Sequence, residues 1–191
     1  MKLLLHACCG PCSLEPVRIL AEAGHDITIA YLNSNIAPAS EYEHRLQTLL
    51  TWAQSQNIPV IKVPYEPKAW QEAVRRAWDG KQENRQDRCR VCYRLRLEEL
   101  ARYAHEHGYE GIGTTLTVSP YQYISVIGEE LERAAAPYEG LVAVFQDFRE
   151  FYPQATIRSR ELGMYRQNYC GCVFSRQQAE KEGRNNCEKP E

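Results

Sequence analysis

The stretch Met1-Lys2-Leu3-Leu4-Leu5-His6-Ala7-Cys8-Cys9-Gly10-Pro11-Cys12-Ser13 decides the fold. Residues 1–7 form an apolar run that reads as a buried strand. The run stops at Cys8-Cys9-Gly10-Pro11-Cys12. Ser13 then reads as the N-cap of a helix with Glu15 and Pro16 in its first turn. Such a strand-to-helix turn aims backbone N–H groups and the positive end of the helix dipole at one point. Three cysteines crowd that point, and the low thiol pKa found at helix N-termini marks them as metal ligands or nucleophiles. The plainer alternative is three packed, inert cysteines.

Working outward, Val17, Leu20 and Ala21 give the first helix its stripe, and Gly24 ends it. Residues 27–32 (ITIAYL) read as a second buried strand, with Asn33, Ser34 and Asn35 at its carboxyl end. Ser40 and Glu43 have the spacing of a capping box before a helix whose inner face is Leu46, Leu49, Leu50 and Ala53. Residues 59–63 (PVIKV) make a third strand, followed by a helix carrying Trp70, Val74 and Trp78. This alternation predicts an α/β fold, a parallel sheet with helices on both faces. Ligands of such sheets bind at the carboxyl ends of the strands, and the cysteine turn lies on that rim.

Further on, residues 79–88 (DGKQENRQDR) read as a surface loop. Cys89 and Cys92 then head a helix with the stripe Tyr93, Leu97, Leu100, Ala101 and Ala104, closed by Gly108. Residues 114–120 (TTLTVSP) read as a strand end passing into a hydroxyl-rich loop. Ser119 caps a helix there, with Pro120 at its first position. Residues 141–145 are a last strand, followed by Asp147. Residues 1–175 are expected to form a single α/β domain, and 176–191 a polar tail.

Composition narrows the function. The chain has 191 residues, 43% hydrophobic and 25% charged, as expected of an ordinary single domain. No apolar run approaches membrane-spanning length, and residues 1–7 lack the flanks of a signal peptide, so a cytosolic setting is expected. In that compartment eight cysteines point to metal or redox chemistry rather than to disulfides. A net charge of −2 does not suggest a general nucleic-acid binder and permits only a local basic face. Between Arg75 and Arg102, nine basic residues stand against five acidic ones, an excess of about +4 that suits either a phosphate-binding face or a solvated helix exterior.

Seven thiols fall in three motifs: CCxxC, CxxC (Cys89, Cys92) and CxC (Cys170, Cys172). Cys187, in the tail, reads as a bystander. A structural zinc site or a four-iron cluster uses four ligands, so seven exceed one such site. The i, i+3 spacing of Cys89 and Cys92 puts both on one helix face, and a helix start would favour their thiolates. Tyr and Arg side chains beside the CxC motif could stack on or clamp a planar anionic ligand. Two other readings stay open. One is a thioredoxin-type oxidoreductase using Cys9-Gly10-Pro11-Cys12; the other is a zinc-stabilised RNA-binding module without catalysis. A Gly/Ser-rich phosphate loop is absent from the first turn, which argues against ATP hydrolysis.

Taken together, several motifs closely resemble the epoxyqueuosine reductases of the QueH type. They are His6-Ala7-Cys8-Cys9-Gly10-Pro11-Cys12-Ser13, Asn33-Ser34-Asn35-Ile36, Glu41-Tyr42 with Arg45, and Arg88-Cys89-Arg90-Val91-Cys92. Thr114-Thr115-Leu116 with Ser119-Pro120 and Tyr165-Arg166-Gln167-Asn168-Tyr169-Cys170-Gly171-Cys172 complete the set. The resemblance runs from Lys2 to about Ser175. It implies a HUP-like, Rossmann-like sheet and the reductive removal of the epoxide oxygen from epoxyqueuosine in tRNA, without cobalamin. It also implies a 4Fe-4S cluster, an adjacent mononuclear metal ion expected to be iron, and an external electron donor. Some family members carry Asp where this chain has Cys12.

Within that resemblance, Cys8, Cys9, Cys89 and Cys92 are expected to hold the cluster, and Cys12, Cys170 and Cys172 the single ion. A competing division gives one of Cys8 or Cys9 to the ion and one CxC thiol to the cluster. Tyr165, Tyr169 and His6 are the candidate proton donors, although His6 at a strand end reads equally as a satisfied core histidine. The residues expected to face substrate and tRNA are Asn33, Asn35, Tyr42, Arg45, Arg88, Arg94, Thr114, Thr115, Ser119, Arg166 and Gln167.

Overall fold

The computed structural model describes residues 1–77 and 85–183. Trp78, the polar stretch 79–84 and Cys187 lie outside the described residues. Five parallel strands, β1 (Lys2–His6), β2 (Asp26–Tyr31), β3 (Val60–Lys62), β4 (Gly111–Thr114) and β5 (Val142–Ala143), form one sheet in the order β3-β2-β1-β4-β5. The chain steps outward from β1 through β2 to β3, then crosses back to β4 on the other side of β1. The strand order therefore reverses between β1 and β4, and this switch point is where doubly wound sheets open a crevice.

Strand β1 is buried on both sides, as a continuous apolar run requires. Alternate side chains divide between two cores. Leu3 and Leu5 join Ile27, Ile29 and Tyr31 under helices α1 (Gly10–Glu22), α2 (Ala39–Ser55) and later α6 (Tyr152–Glu161). Leu4 joins Ala30 and Ile112 under α4 (Arg85–Glu106) and α5 (Ile124–Ala135), while α3 (Pro67–Ala77) packs against α4 through Trp70 and Val74. Each of the three leucines is completely buried and contributes about 1.5–3 kcal/mol. The register pairs His6 with both Ala30 and Thr114, which brings the ends of β1, β2 and β4 to one rim.

Several helix starts differ from the sequence expectation. Helix α1 begins at Gly10, and its N-cap is Cys9, in extended conformation at φ −172°. Ser13 lies inside the helix, where its hydroxyl donates to the Cys9 carbonyl at 2.8 Å. Pro11, whose fixed φ suits a first turn, pulls the start forward. Pro38 rather than Ser40 precedes α2. Ser119 ends a short 3-10 turn (Thr115–Val118), and α5 starts only at Ile124. Residues 85–88, expected in a loop, are the first turn of α4.

The last strand is shorter than residues 141–145. Helices α6 and α7 (Val173–Lys181) were not anticipated, because their buried residues are few: Ala155 and Ser159 in one, Ala179 in the other. No helix among the described residues is long and apolar enough to cross a membrane.

Candidate metal centre

The turn after β1 places three sulfurs together. The Sγ atoms of Cys8, Cys9 and Cys12 all lie within 4.8 Å of one another. The Cys8 thiol donates to Cys9 Sγ at 3.8 Å, and Gln167 Nε2 donates to the same sulfur at 3.0 Å. Hydrogen bonds from Cys12 and then from Cys8, aided by the Arg45 charge, hold Cys9 well below the usual thiol range despite its burial. Its place at the start of α1 acts in the same sense. Cys12, the donor to Cys8 and Cys9, is raised well above the ordinary value. For Cys8 the bond with Cys12 lowers the pKa, but donation to Cys9 and burial outweigh it, leaving the thiol at about 11. Thr115 Oγ1, just past the end of β4, lies 4.0 Å from Cys8 Sγ.

The other four described cysteines are electrostatic neighbours of one another. Cys89 lies within electrostatic range of Cys170 and Cys172, and so does Cys92, against which Cys172 also packs. Cys89 and Cys92 sit one turn inside α4 rather than at its head, so the helix start does not activate them. Burial instead pushes Cys89 up to about 11 and Cys92 to about 12. Burial and then the neighbouring Cys172 raise Cys170, which accepts a hydrogen bond from Gln122 Nε2 at 3.6 Å. Cys172 is the N-cap of α7 and accepts from the Ser175 amide at 3.5 Å.

The grouping is three plus four. The expected division of ligands set Cys12 apart from Cys8 and Cys9, whereas their three sulfurs lie together here. Gly10 and Pro11 start the helix at once, so Cys12 curls back within one turn of Cys9.

The CxC loop is held by a buried ionic network on α2. Arg45 Nε donates to Glu41 at 2.7 Å, and its terminal nitrogens donate to the carbonyls of Cys170 at 3.0 Å and Tyr169 at 3.1 Å. Tyr165 donates its hydroxyl to the other Glu41 oxygen at 2.7 Å, and Tyr169 donates to the Ala37 carbonyl at 2.8 Å. The Ala37 amide in turn donates to Gly171 O at 2.9 Å. Gly171 needs to be glycine: its φ is +131°, and a Cβ there would stand 2.9 Å from Ile36 Cγ1. Both tyrosines are therefore engaged in fixing the loop. Burial, then the Glu41 bond, raises Tyr165, and burial pushes Tyr169 to about 12.

His6 is completely buried, with Nδ1 3.0 Å from Thr114 Oγ1 and Nε2 3.3 Å from Leu32 O. Burial, with the nearby Arg96 charge, lowers it to about 3, so the ring is neutral and both nitrogens are engaged. This is the satisfied core histidine of the two readings. Asn33 Nδ2 donates to the Ala7 carbonyl and pins the exit of β1. Tyr42 stacks on Tyr65 at 4.0 Å between centroids, away from the thiols. Ser119 accepts from the Tyr121 amide, and Arg166 donates to Thr156 Oγ1 at 3.4 Å.

Among the described residues, part of the basic excess around α4 is paired with carboxylates. Arg94 and Arg90 clamp Glu130, Arg102 binds Glu99 and Glu106, and Arg88 lies over the Phe174 ring. Sequence reasoning missed Gln122 and Arg96 as parts of the site and gave Glu41 no role beyond its place in a motif. A helix-periodic pattern gives no sign that a polar residue is aimed inward. Asn33 Oδ1, Asn35 Oδ1, Gln167 Oε1 and one Arg96 terminal nitrogen are buried without a hydrogen-bond partner among the described residues. Such orphans, next to seven thiols, fit a rim that receives something more than packing. Clustered sulfur donors suit soft or borderline metals and iron–sulfur clusters.

Fold and site together define a class: a Rossmann-like α/β protein able to hold metal through cysteine sulfur at the switch point of its sheet. The family model described as epoxyqueuosine reductase QueH matches residues 3–178. A protein named epoxyqueuosine reductase QueH from Histophilus somni is 34% identical over 177 residues, covering 91% of this chain and 72% of that relative. Relatives with the same name from Dehalococcoides mccartyi (33% identical, covering 91% of this chain and 92% of the relative) and Thermotoga maritima (34%, covering 90% and 88%) are similar over comparable spans. The chain belongs to the epoxyqueuosine reductase QueH family.

Proposed function

We propose that this protein is an oxidoreductase that converts epoxyqueuosine to queuosine in tRNA, independently of cobalamin and in the reducing cytoplasm. The carrying observation is the gathering of three sulfurs within 4.8 Å of one another at the switch point. In this reading Cys8, Cys9 and Cys12 hold a single metal ion, iron, and Cys89, Cys92, Cys170 and Cys172 hold a 4Fe-4S cluster. When bound, the cluster supplies single electrons and the ion Lewis acidity. The reaction breaks both epoxide C–O bonds and forms a carbon–carbon double bond. It consumes two electrons from an external donor and two protons, and it releases the oxygen as water.

The chain's own residues position these parts. Hydrogen bonds from Cys12 and Cys8 favour the thiolate of Cys9, Gln167 Nε2 donates to the same sulfur, and a cation held by the three sulfurs would bind them as thiolates. Glu41 and Arg45 fix the loop that carries Cys170 and Cys172, with Tyr165 and Tyr169 as its struts. Thr115 and Gln167 border the three thiols on the side where substrate oxygen would approach. Asn35, Arg88, Arg166 and Ser119 are the rim groups assigned to tRNA. Arg94 belongs to the same set and is paired with Glu130.

The test uses anaerobically reconstituted protein, a strong chemical reductant and an anticodon stem-loop carrying epoxyqueuosine, with the nucleosides read by mass spectrometry. Queuosine formed without added cobalamin is the expected result. Protein that takes up only zinc and leaves the epoxide intact would overturn the reading and favour a zinc-stabilised RNA-binding module.

A further inference from the structure

Arg45 and Arg96 are both buried at this site, and of these two only Arg45 has a carboxylate partner among the described residues. Arg45 is fully used: Glu41 takes Nε, and two carbonyls take the remaining nitrogens. Arg96 lies on α4, one turn beyond Cys92, and is almost as inaccessible. Its Nε donates to the Cys92 carbonyl at 3.3 Å, and its guanidinium lies 5.8 Å from the Tyr93 ring centroid. One terminal nitrogen has no hydrogen-bond partner among the described residues. The groups that favour its charge are, in order, Cys92, Cys170 and Cys8, which belong to both thiol groups. A permanent positive charge thus lies against the Cys92 backbone, within electrostatic range of Cys170 and Cys8, with a donor that has no partner among the described residues.

Burying an unpaired guanidinium is costly, and removing a cation that lacks an anionic partner is often neutral or stabilising. The cost is explained if an anion is present in the working protein. Metal loading creates one, because cysteine ligands bind as thiolates. We infer that Arg96 is a positioning residue whose charge and free N–H serve the iron–sulfur centre, compensating its thiolates and favouring its reduced state. The inference rests on the proposed cluster at Cys89, Cys92, Cys170 and Cys172. Net charge and hydrogen bonds to sulfur are among the factors that set the potentials of such centres. Reduction adds one negative charge, so a nearby cation favours it.

The experiment compares wild type, Arg96→Lys and Arg96→Met in two states. Thermal melting is measured for the metal-free protein and the reconstituted protein, and the cluster's midpoint potential is found by EPR-monitored redox titration. In the metal-free state Arg96→Met should melt at or above the wild-type temperature, and in the loaded state below it. Its midpoint should become more negative by at least a tenfold change in the reduced-to-oxidised ratio, about 59 mV for one electron. Arg96→Lys, which keeps the charge, should fall between the two.

A variant that melts lower in both states, or fails to fold without metal, marks Arg96 as ordinary structure and overturns the inference. An unchanged midpoint in a loaded Arg96→Met protein overturns it as well. Wild type that binds no cluster brings down the functional reading itself, and the inference falls with it.

Discussion

The two thiol groups are assembled in opposite ways. Cys8, Cys9 and Cys12 come from five consecutive residues and are gathered by one strand end and one helix start. Cys89, Cys92, Cys170 and Cys172 come from two distant segments and depend on α2 to hold the second of these in place. A locally built site needs only its own turn to be intact. A site assembled across the fold inherits the stability of every contact that aligns its parts. The comparison predicts that the four-thiol group is the fragile one, sensitive to substitutions that touch no sulfur.

The largest break should come from Arg45→Met. It strips the partner from buried Glu41 and the clamp from the CxC loop, costing about 3–5 kcal/mol in chemical denaturation. Iron–sulfur reconstitution should fail while the fold persists at low temperature. Reconstitution at the wild-type level would show that α2 does not hold the loop.

His6, under the local group, sets the acid limit. Its folded pKa of about 3 lies below the unfolded value near 6.5, so between those pH values the unfolded chain binds the extra proton. Stability is therefore fully present above pH 6.5 and is lost as pH falls toward 3, by up to about 4 kcal/mol. Urea melts at stepped pH should show this slope, and His6→Gln should flatten it. Equal slopes in the two proteins would remove His6 from the account.

Gly171→Ala tests the four-thiol group alone. The positive φ and the contact with Ile36 should cost about 2–3 kcal/mol. Sulfide incorporation should fall, with the three-thiol group still able to take one cobalt ion, read by its thiolate charge-transfer absorption. Loss of both would show that the groups are not independent.

The smallest effect is on the local group. Gln167→Leu removes one hydrogen bond to the Cys9 thiolate, worth about 1.5 kcal/mol, and should slow iodoacetamide labelling of Cys9 at neutral pH. An unchanged labelling rate would mean that Cys8 and Cys12 hold the thiolate unaided.

The same contrast explains what the sequence could tell. The parallel sheet was legible because Leu3–Leu5 and the runs near Ile29 and Ile61 are continuous apolar stretches between helix-periodic segments. The three-thiol turn was legible because proximity in sequence is proximity in space there. The pairing of α4 with the CxC loop was not, since spacing says nothing about which segments the fold brings together. Arg45 and Glu41 were visible only as members of a resemblance, and Arg96 looked like one of nine surface cations. Burial of a charged residue on a helix is decided by its neighbours, and these are distant in the chain. Helix starts were misplaced at Ser13, Ser40 and Ser119. In each case a nearby proline or a side chain bonding within its own turn competed with the capping signal.

The division of thiols is tested most directly by iron and acid-labile sulfide per chain in anaerobically reconstituted Cys12→Ser. The account predicts wild-type sulfide and the wild-type cluster spectrum, with iron lower by about one per chain, because Cys12 serves only the single ion. Loss of sulfide and bleaching of the cluster in Cys12→Ser would contradict it.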